Sequence, residues 1–118
     1  MNIITFHVVR LVKALGYSLQ GLFEATRSEP AFTLEVILFI FLLPIALLLK
    51  LTLLTKALLI GSLLLVLIVE LLNSAIEATV DHISLERHPL AKKAKDMGSA
   101  AVLLCMLNAA LIWCFALL

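Results

Sequence analysis

The chain has 118 residues, of which 64% are hydrophobic and 14% charged, and a mean hydropathy of +1.18, a balance far outside that of soluble domains. It reads as a membrane protein; once the apolar spans are set aside, no continuous stretch remains for a separate soluble domain, so any chemistry takes place in or at the bilayer. The nine Lys and Arg residues are scattered and the net charge is +1, which argues against nucleic acid as a partner.

The amino-terminal region has neither an unbroken apolar run nor a small-residue cleavage site, so no removable signal peptide is expected and the mature chain is expected to start near Met1. Helical periodicity then predicts an amphipathic helix over 4–27. Ile4, Val8, Leu11, Val12, Leu15, Leu19, Leu22 and Phe23 share one face, and Arg10, Lys13, Tyr17, Gln20, Glu24 and Arg27 share the other. Such a helix is expected to lie on the membrane surface with its apolar face in the acyl boundary, rather than to pack along a bundle. Gly16 and Gly21 weaken it and leave room for a backbone or ligand to approach. The string Arg27-Ser28-Glu29-Pro30 ends this helix, with Pro30 suited to the first turn of the next.

A first span is predicted over 31–49, long enough to cross, with a kink at Pro44. Lys50 and Lys56 flank a short hairpin, and a second span follows over 57–80. A loop from His82 to Lys93 precedes a third span over 97–118, which opens on Gly98-Ser99-Ala100-Ala101, a surface of small residues that lets membrane helices pack closely. Cys105 and Cys114 lie on that last helix about 180° apart, so they do not pair within it and are expected as core thiols. Asn108 is expected to hydrogen-bond between helices, and His7 and His82 to lie at the surface. Arg10, Lys13, Arg27, Arg87, Lys92, Lys93 and Lys95 outnumber Lys50 and Lys56 on the other side. The amino terminus and the 81–96 loop are therefore expected in the cytoplasm.

The second span carries the most informative feature of the chain. After an apolar run from Ala57 to Val69 come Glu70, Asn73, Ser74, Glu77 and Asp81, which project within about 60° of Glu70 to form one polar stripe. At about 1.5 Å per residue from Lys56, Glu70 lies about 21 Å across a hydrocarbon core of about 30 Å, and Glu77 lies at its cytoplasmic surface. An ionisable group at such depth costs at least a few kcal/mol and by default marks a functional site. Its position suits a lipid head group rather than a dissolved metabolite. Further polar groups gather at the same end: Glu29 before the first span, Glu86, Arg87 and His88 in the loop, and Lys95 and Asp96 opening the third span. Glu29 and Glu77 are candidate magnesium ligands, because that ion is usually held by one or two carboxylates with phosphate oxygens and water. Lys95 is a candidate phosphate contact. No Walker string, H-R-D or D-F-G occurs, so a bound nucleotide would need another kind of cradle.

The string Glu70-Leu-Leu-Asn73-Ser-Ala-Ile-Glu77-Ala, followed by Lys93-Ala-Lys95-Asp96-Met97-Gly98-Ser99-Ala-Ala, closely resembles the prokaryotic diacylglycerol kinase family. The likeness extends to Lys13-Ala-Leu-Gly16-Tyr17-Ser18, to Glu29 ahead of Ala31-Phe32, and to Trp113-Cys114, and so covers nearly the whole chain. It implies a single all-α integral-membrane kinase domain over 1–118: an amino-terminal surface helix and three transmembrane helices, assembled as a homotrimeric bundle in the bacterial inner membrane. The implied reaction moves the γ-phosphate of ATP to diacylglycerol, with magnesium. Carried over by position, the resemblance implies Glu70 as the general base with Asn73 beside it, and Glu29 and Glu77 on magnesium. It implies Arg10, Tyr17, Glu29, Glu77, Glu86, Arg87, His88, Lys95 and Asp96 at ATP, and Arg10, Ser18, Glu70, Ser99 and Trp113 at the lipid. Leu34 stands where the family has Gln, Leu19 where Trp is common and Arg87 where an aromatic residue is common, departures that touch lipid and adenine contacts. The related undecaprenol kinases share the core and form the alternative, but Met97-Gly98-Ser99 looks more like the diacylglycerol branch.

Two other readings compete. A small proton-coupled transporter would use Glu70 as its titrating group, but its polar residues should sit at the midplane rather than crowd one side. A non-catalytic helical subunit of a larger complex would need no acid at position 70.

Overall fold

The computed structural model describes residues 1–83 and 88–118, and among them every regular element is a helix. Helix α1 covers Ile3–Ser28 and begins where the Asn2 side chain accepts a hydrogen bond from Thr5 N at 2.8 Å, a cap that satisfies one of the free amides of the first turn. It ends at Glu29, whose backbone is extended (φ −114°, ψ 99°), the conformation forced on a residue that precedes proline. Pro30 then starts α2, Pro30–Leu48, which continues through Pro44 as one helix. The elbow between the two helices is pinned by Thr33, whose hydroxyl reaches Thr26 O at 2.7 Å and Glu29 O at 3.1 Å.

Helix α3, Leu53–Ile83, starts four residues earlier than the hydrophobic pattern alone predicts and runs three residues further. Thr52 is the reason at its start: its hydroxyl accepts from Thr55 N at 3.2 Å and its carbonyl from Lys56 N at 3.0 Å. Lys56, expected to flank the hairpin, does so from the first turn of α3. Its Nζ reaches back to Leu47 O at 2.7 Å, giving a partner to one of the free carbonyls at the end of α2. Helix α4, Pro89–Leu117, begins eight residues ahead of the expected span, so that 82–83 and 89–93 of the expected loop are helical, and the rest of that loop apart from His88 lies outside the described residues. His88 caps it through Nδ1, which accepts from Leu90 N at 3.1 Å, and Pro89 occupies the first helical position, where its missing N–H costs nothing.

Helix α3 is the middle element, packed against α2 on one side and more extensively against α4 on the other. The buried positions are few: Phe32 and Ala46 on α2, Leu59, Ser62, Glu70 and Asn73 on α3, and Gly98, Cys105 and Ala109 on α4. Large apolar side chains such as Leu38, Phe41, Leu65, Ile68, Leu104 and Leu107 face outward, and α2, α3 and α4 are each long and apolar enough to cross a membrane. Helices hydrophobic on their outer surface suit hydrocarbon as solvent, so the chain is a multi-pass membrane protein. Cys114 and Asn108 also face outward, so within one chain Cys114 is no core thiol, and among the described residues Asn108 makes no interhelical bond.

Helix α1 buries only Ala25 and leaves both its faces open, so it does not lie along the bundle. The molecule measures 48 × 47 × 23 Å, which fits a rod of about 39 Å reaching sideways from spans of up to about 46 Å. Among the described residues, nothing outside their own helix backbone lies within 4 Å of where a Cβ would be at Gly16 or Gly21, so neither serves a close approach there.

Candidate functional site

The polar stripe on α3 exists as expected, and its two upper members are buried: Glu70 is 7% exposed and Asn73 8%. Helical spacing brings Asn73 over the following turn, where Nδ2 donates to Glu77 Oε1 across a long 3.4 Å. Glu77 is half-buried, and Glu29, at the elbow between α1 and α2, is also half-buried. Glu29 and Glu77 are both close enough to Glu70 to act on it electrostatically.

A fourth carboxyl joins them. Glu35 on α2 faces Glu70 at interaction distance, and its Oε2 is buried with no hydrogen-bond partner among the described residues. The sequence reading misses Glu35 because it stands alone in Phe-Thr-Leu-Glu-Val near a helix start, where an acid is ordinary. The available signal was depth. Five residues after Pro30, Glu35 is more than a turn inside a span with no other charge before its end.

The site is therefore an acidic cluster, Glu29, Glu35, Glu70 and Glu77, in which no lysine or arginine among the described residues forms an ion pair with any member. Like charges gathered in a poorly solvated place are unfavourable until a cation or proton joins them. The donor set is all oxygen, which suits a hard divalent cation. No three metal-binding side chains among the described residues stand close enough to make a closed cage.

Cations line the exposed end of the same helices. Lys95 on α4 pairs with Asp81 on α3 at 2.5 Å, joining the two helices, and Lys92 pairs with Asp96 one turn along α4 at 2.6 Å. Two expected nucleotide contacts, Lys95 and Asp96, thus already hold partners, and His88 holds the start of α4. Glu86 and Arg87 lie outside the described residues.

Other expected site residues stay apart within one chain. Arg10, Tyr17 and Ser18 are exposed on α1, and the helical rise puts Arg10 about 28 Å from Glu29 along that rod. The Ser18 hydroxyl bonds to Ala14 O of its own helix at 2.9 Å. Ser99 is exposed beside Gly98 on α4, while Trp113 stands about 21 Å further along that helix, half-buried, with Nε1 lacking a partner among the described residues.

Comparison with known proteins shows the family of the chain. The profile of the family Prokaryotic diacylglycerol kinase matches residues 16–117. A diacylglycerol kinase of Pseudomonas aeruginosa is 53% identical over 109 residues, spanning 92% of this chain and 89% of the relative. One of Escherichia coli (strain K12) is 49% identical over 108 residues, spanning 92% and 88%. One of Haemophilus influenzae is 42% identical over 109 residues, spanning 92% of each. With a membrane architecture of helices alone among the described residues and matches across nearly its full length, the chain belongs to the prokaryotic diacylglycerol kinase family.

Proposed function

We propose that this protein phosphorylates diacylglycerol to phosphatidic acid at the cytoplasmic face of the bacterial inner membrane, using ATP and magnesium. The single observation that carries the reading is Glu70: a carboxyl 7% exposed, deep on a membrane helix, with three further carboxyls around it and no cation paired to it among the described residues. In this reading the Glu70 carboxylate accepts the proton of the lipid hydroxyl as that oxygen bonds to the γ-phosphorus, and the bond to the bridging β–γ oxygen breaks to release ADP. Phosphoryl transfer asks for positioning and charge neutralisation more than covalent chemistry, so a carboxylate base beside clamped phosphates is sufficient. Glu29 and Glu77 would hold magnesium, which when bound neutralises phosphate charge. Asn73 orients the Glu77 carboxylate, and Arg10, Tyr17, Glu86, Arg87, His88, Lys95 and Asp96 are assigned to the nucleotide. Arg10, Ser18, Ser99 and Trp113 are assigned to the lipid.

The separation of Arg10 from Glu29 along one rod supports a homotrimer in which α1 of one subunit completes the site of another. The excess of Lys and Arg near the amino terminus and around 87–95 supports a cytoplasmic location for both.

The test is ATP-dependent phosphorylation of a short-chain diacylglycerol by detergent-purified protein. Magnesium-dependent phosphatidic acid is the expected product, and Glu70→Gln should lower kcat at least about 100-fold, the scale of a lost general base. Full turnover with an amide at position 70 would overturn the mechanism. Proton-driven flux with no lipid product would favour the transporter instead, and preferred turnover of a polyprenol would favour the undecaprenol kinase alternative.

A further inference from the structure

Asn73 presents its two amide atoms to different helices. Nδ2 points along α3 to Glu77 Oε1, whereas Oδ1 is buried, has no hydrogen-bond partner among the described residues, and rests against Gly98 of α4. A Cβ at position 98 would overlap Asn73 Oδ1. The chain's other glycines, Gly16, Gly21 and Gly61, have nothing within 4 Å of that position. Gly98 is not there for its backbone, because no glycine has a positive φ and α4 runs through it as ordinary helix. A glycine inside a helix costs about 1 kcal/mol relative to alanine, so a methyl would be favourable here but for the amide in its way.

We propose that Gly98 is a positioning residue for the phosphoryl-transfer site. Its missing side chain is the seat for the Asn73 oxygen, and that seat turns the amide nitrogen toward Glu77 and holds one carboxylate oxygen of Glu77 in place. A methyl at 98 rotates the amide away, and Glu77 loses its only side-chain partner among the described residues. The inference rests on the assignment of Glu77 to the metal. It differs from simple close packing by small residues, which would make Gly98 matter to helix association and not to Asn73 in particular.

A double-mutant cycle tests it with Gly98→Ala, Asn73→Ala and the pair, on full-length protein in detergent. One readout is binding of manganese together with a non-hydrolysable ATP analogue, followed by electron paramagnetic resonance; the other is the KM for magnesium against the KM for lipid. Gly98→Ala is expected to weaken manganese binding about tenfold and to raise the magnesium KM with the lipid KM unchanged, the usual scale for a lost outer partner of a metal ligand. In the Asn73→Ala background the same substitution should add nothing, because the space it needs is then empty. Wild-type manganese affinity in Gly98→Ala, an equal loss in both backgrounds, or a lipid KM that moves with the magnesium KM overturns the proposal. Where Gly98→Ala alone does not fold, a folded double variant supports the clash with the amide, and an unfolded one overturns it in favour of helix packing. Wild-type protein that makes no phosphatidic acid yet keeps this coupling in manganese binding would sink the kinase reading while leaving the seat intact.

Discussion

Glu35 and Lys56 show what a single side chain does once its surroundings are known. Two carboxyls that face each other at bilayer depth, as those of Glu35 and Glu70 do, form a favourable contact only when one donates to the other. A glutamine amide can fill the donor's place at position 35, whereas leucine leaves Glu70 facing hydrocarbon. Glu35→Gln is therefore expected to keep kcat within about threefold, and Glu35→Leu to lower it about tenfold or more, measured as phosphatidic acid formed per minute. Lys56 acts on stability: its ammonium satisfies Leu47 O, so Lys56→Met should destabilise the fold by about 1–2 kcal/mol in a denaturant titration with little effect on KM. The common face of Glu70, Asn73 and Glu77 was legible from spacing alone, because the helical repeat brings residues three and four apart together, and the structure buries Glu70 and Asn73 on it. Glu35 was not, because its significance lies in a neighbour on another helix.

At the scale of the helices, the hydrophobic pattern located all three spans, while α3 and α4 begin several residues ahead of theirs. The pattern responds to grease, whereas a helix starts where its first amides find acceptors. Thr52 and His88 supply those acceptors, and the polar turns they open carry no apolar signature. The consequence for the site is direct: with α4 beginning at Pro89, Lys92 and Lys95 stand on a rigid element rather than in a loop, and Lys95 meets Asp81 across the helix pair. Thr33 gives a test at the elbow. Thr33→Val keeps the shape and removes the bonds to Thr26 O and Glu29 O, so the magnesium KM should rise about threefold to tenfold while the lipid KM stays; equal movement of both would show that Thr33 supports the fold alone.

The whole molecule is open and flat, with few buried side chains and an amino-terminal helix that meets the rest of the described residues chiefly at its elbow with α2. The sequence conveyed the number of spans and the amphipathic helix, yet not how residues proposed for one site would come together, since Arg10 and Glu29 are separated by most of α1. If they meet between copies, inactive Glu70→Gln and Glu77→Gln chains should regain partial turnover when mixed and reassembled, and no recovery at any ratio would count against a shared site. Helix α3 also carries a measure of its own. Its hairpin end is fixed by Thr52 and Lys56, and 31 residues give a rod of about 46 Å against hydrocarbon of about 30 Å, so the surplus projects on the side of Glu77 and Asp81. The distance from hairpin to Glu70 is a constant of the polypeptide, while the acyl length of the host lipid is not. Reconstituted in a series of phosphatidylcholines, the protein should therefore run fastest at one chain length and slow on either side, as shorter tails lift Glu70 toward water and longer ones drown it.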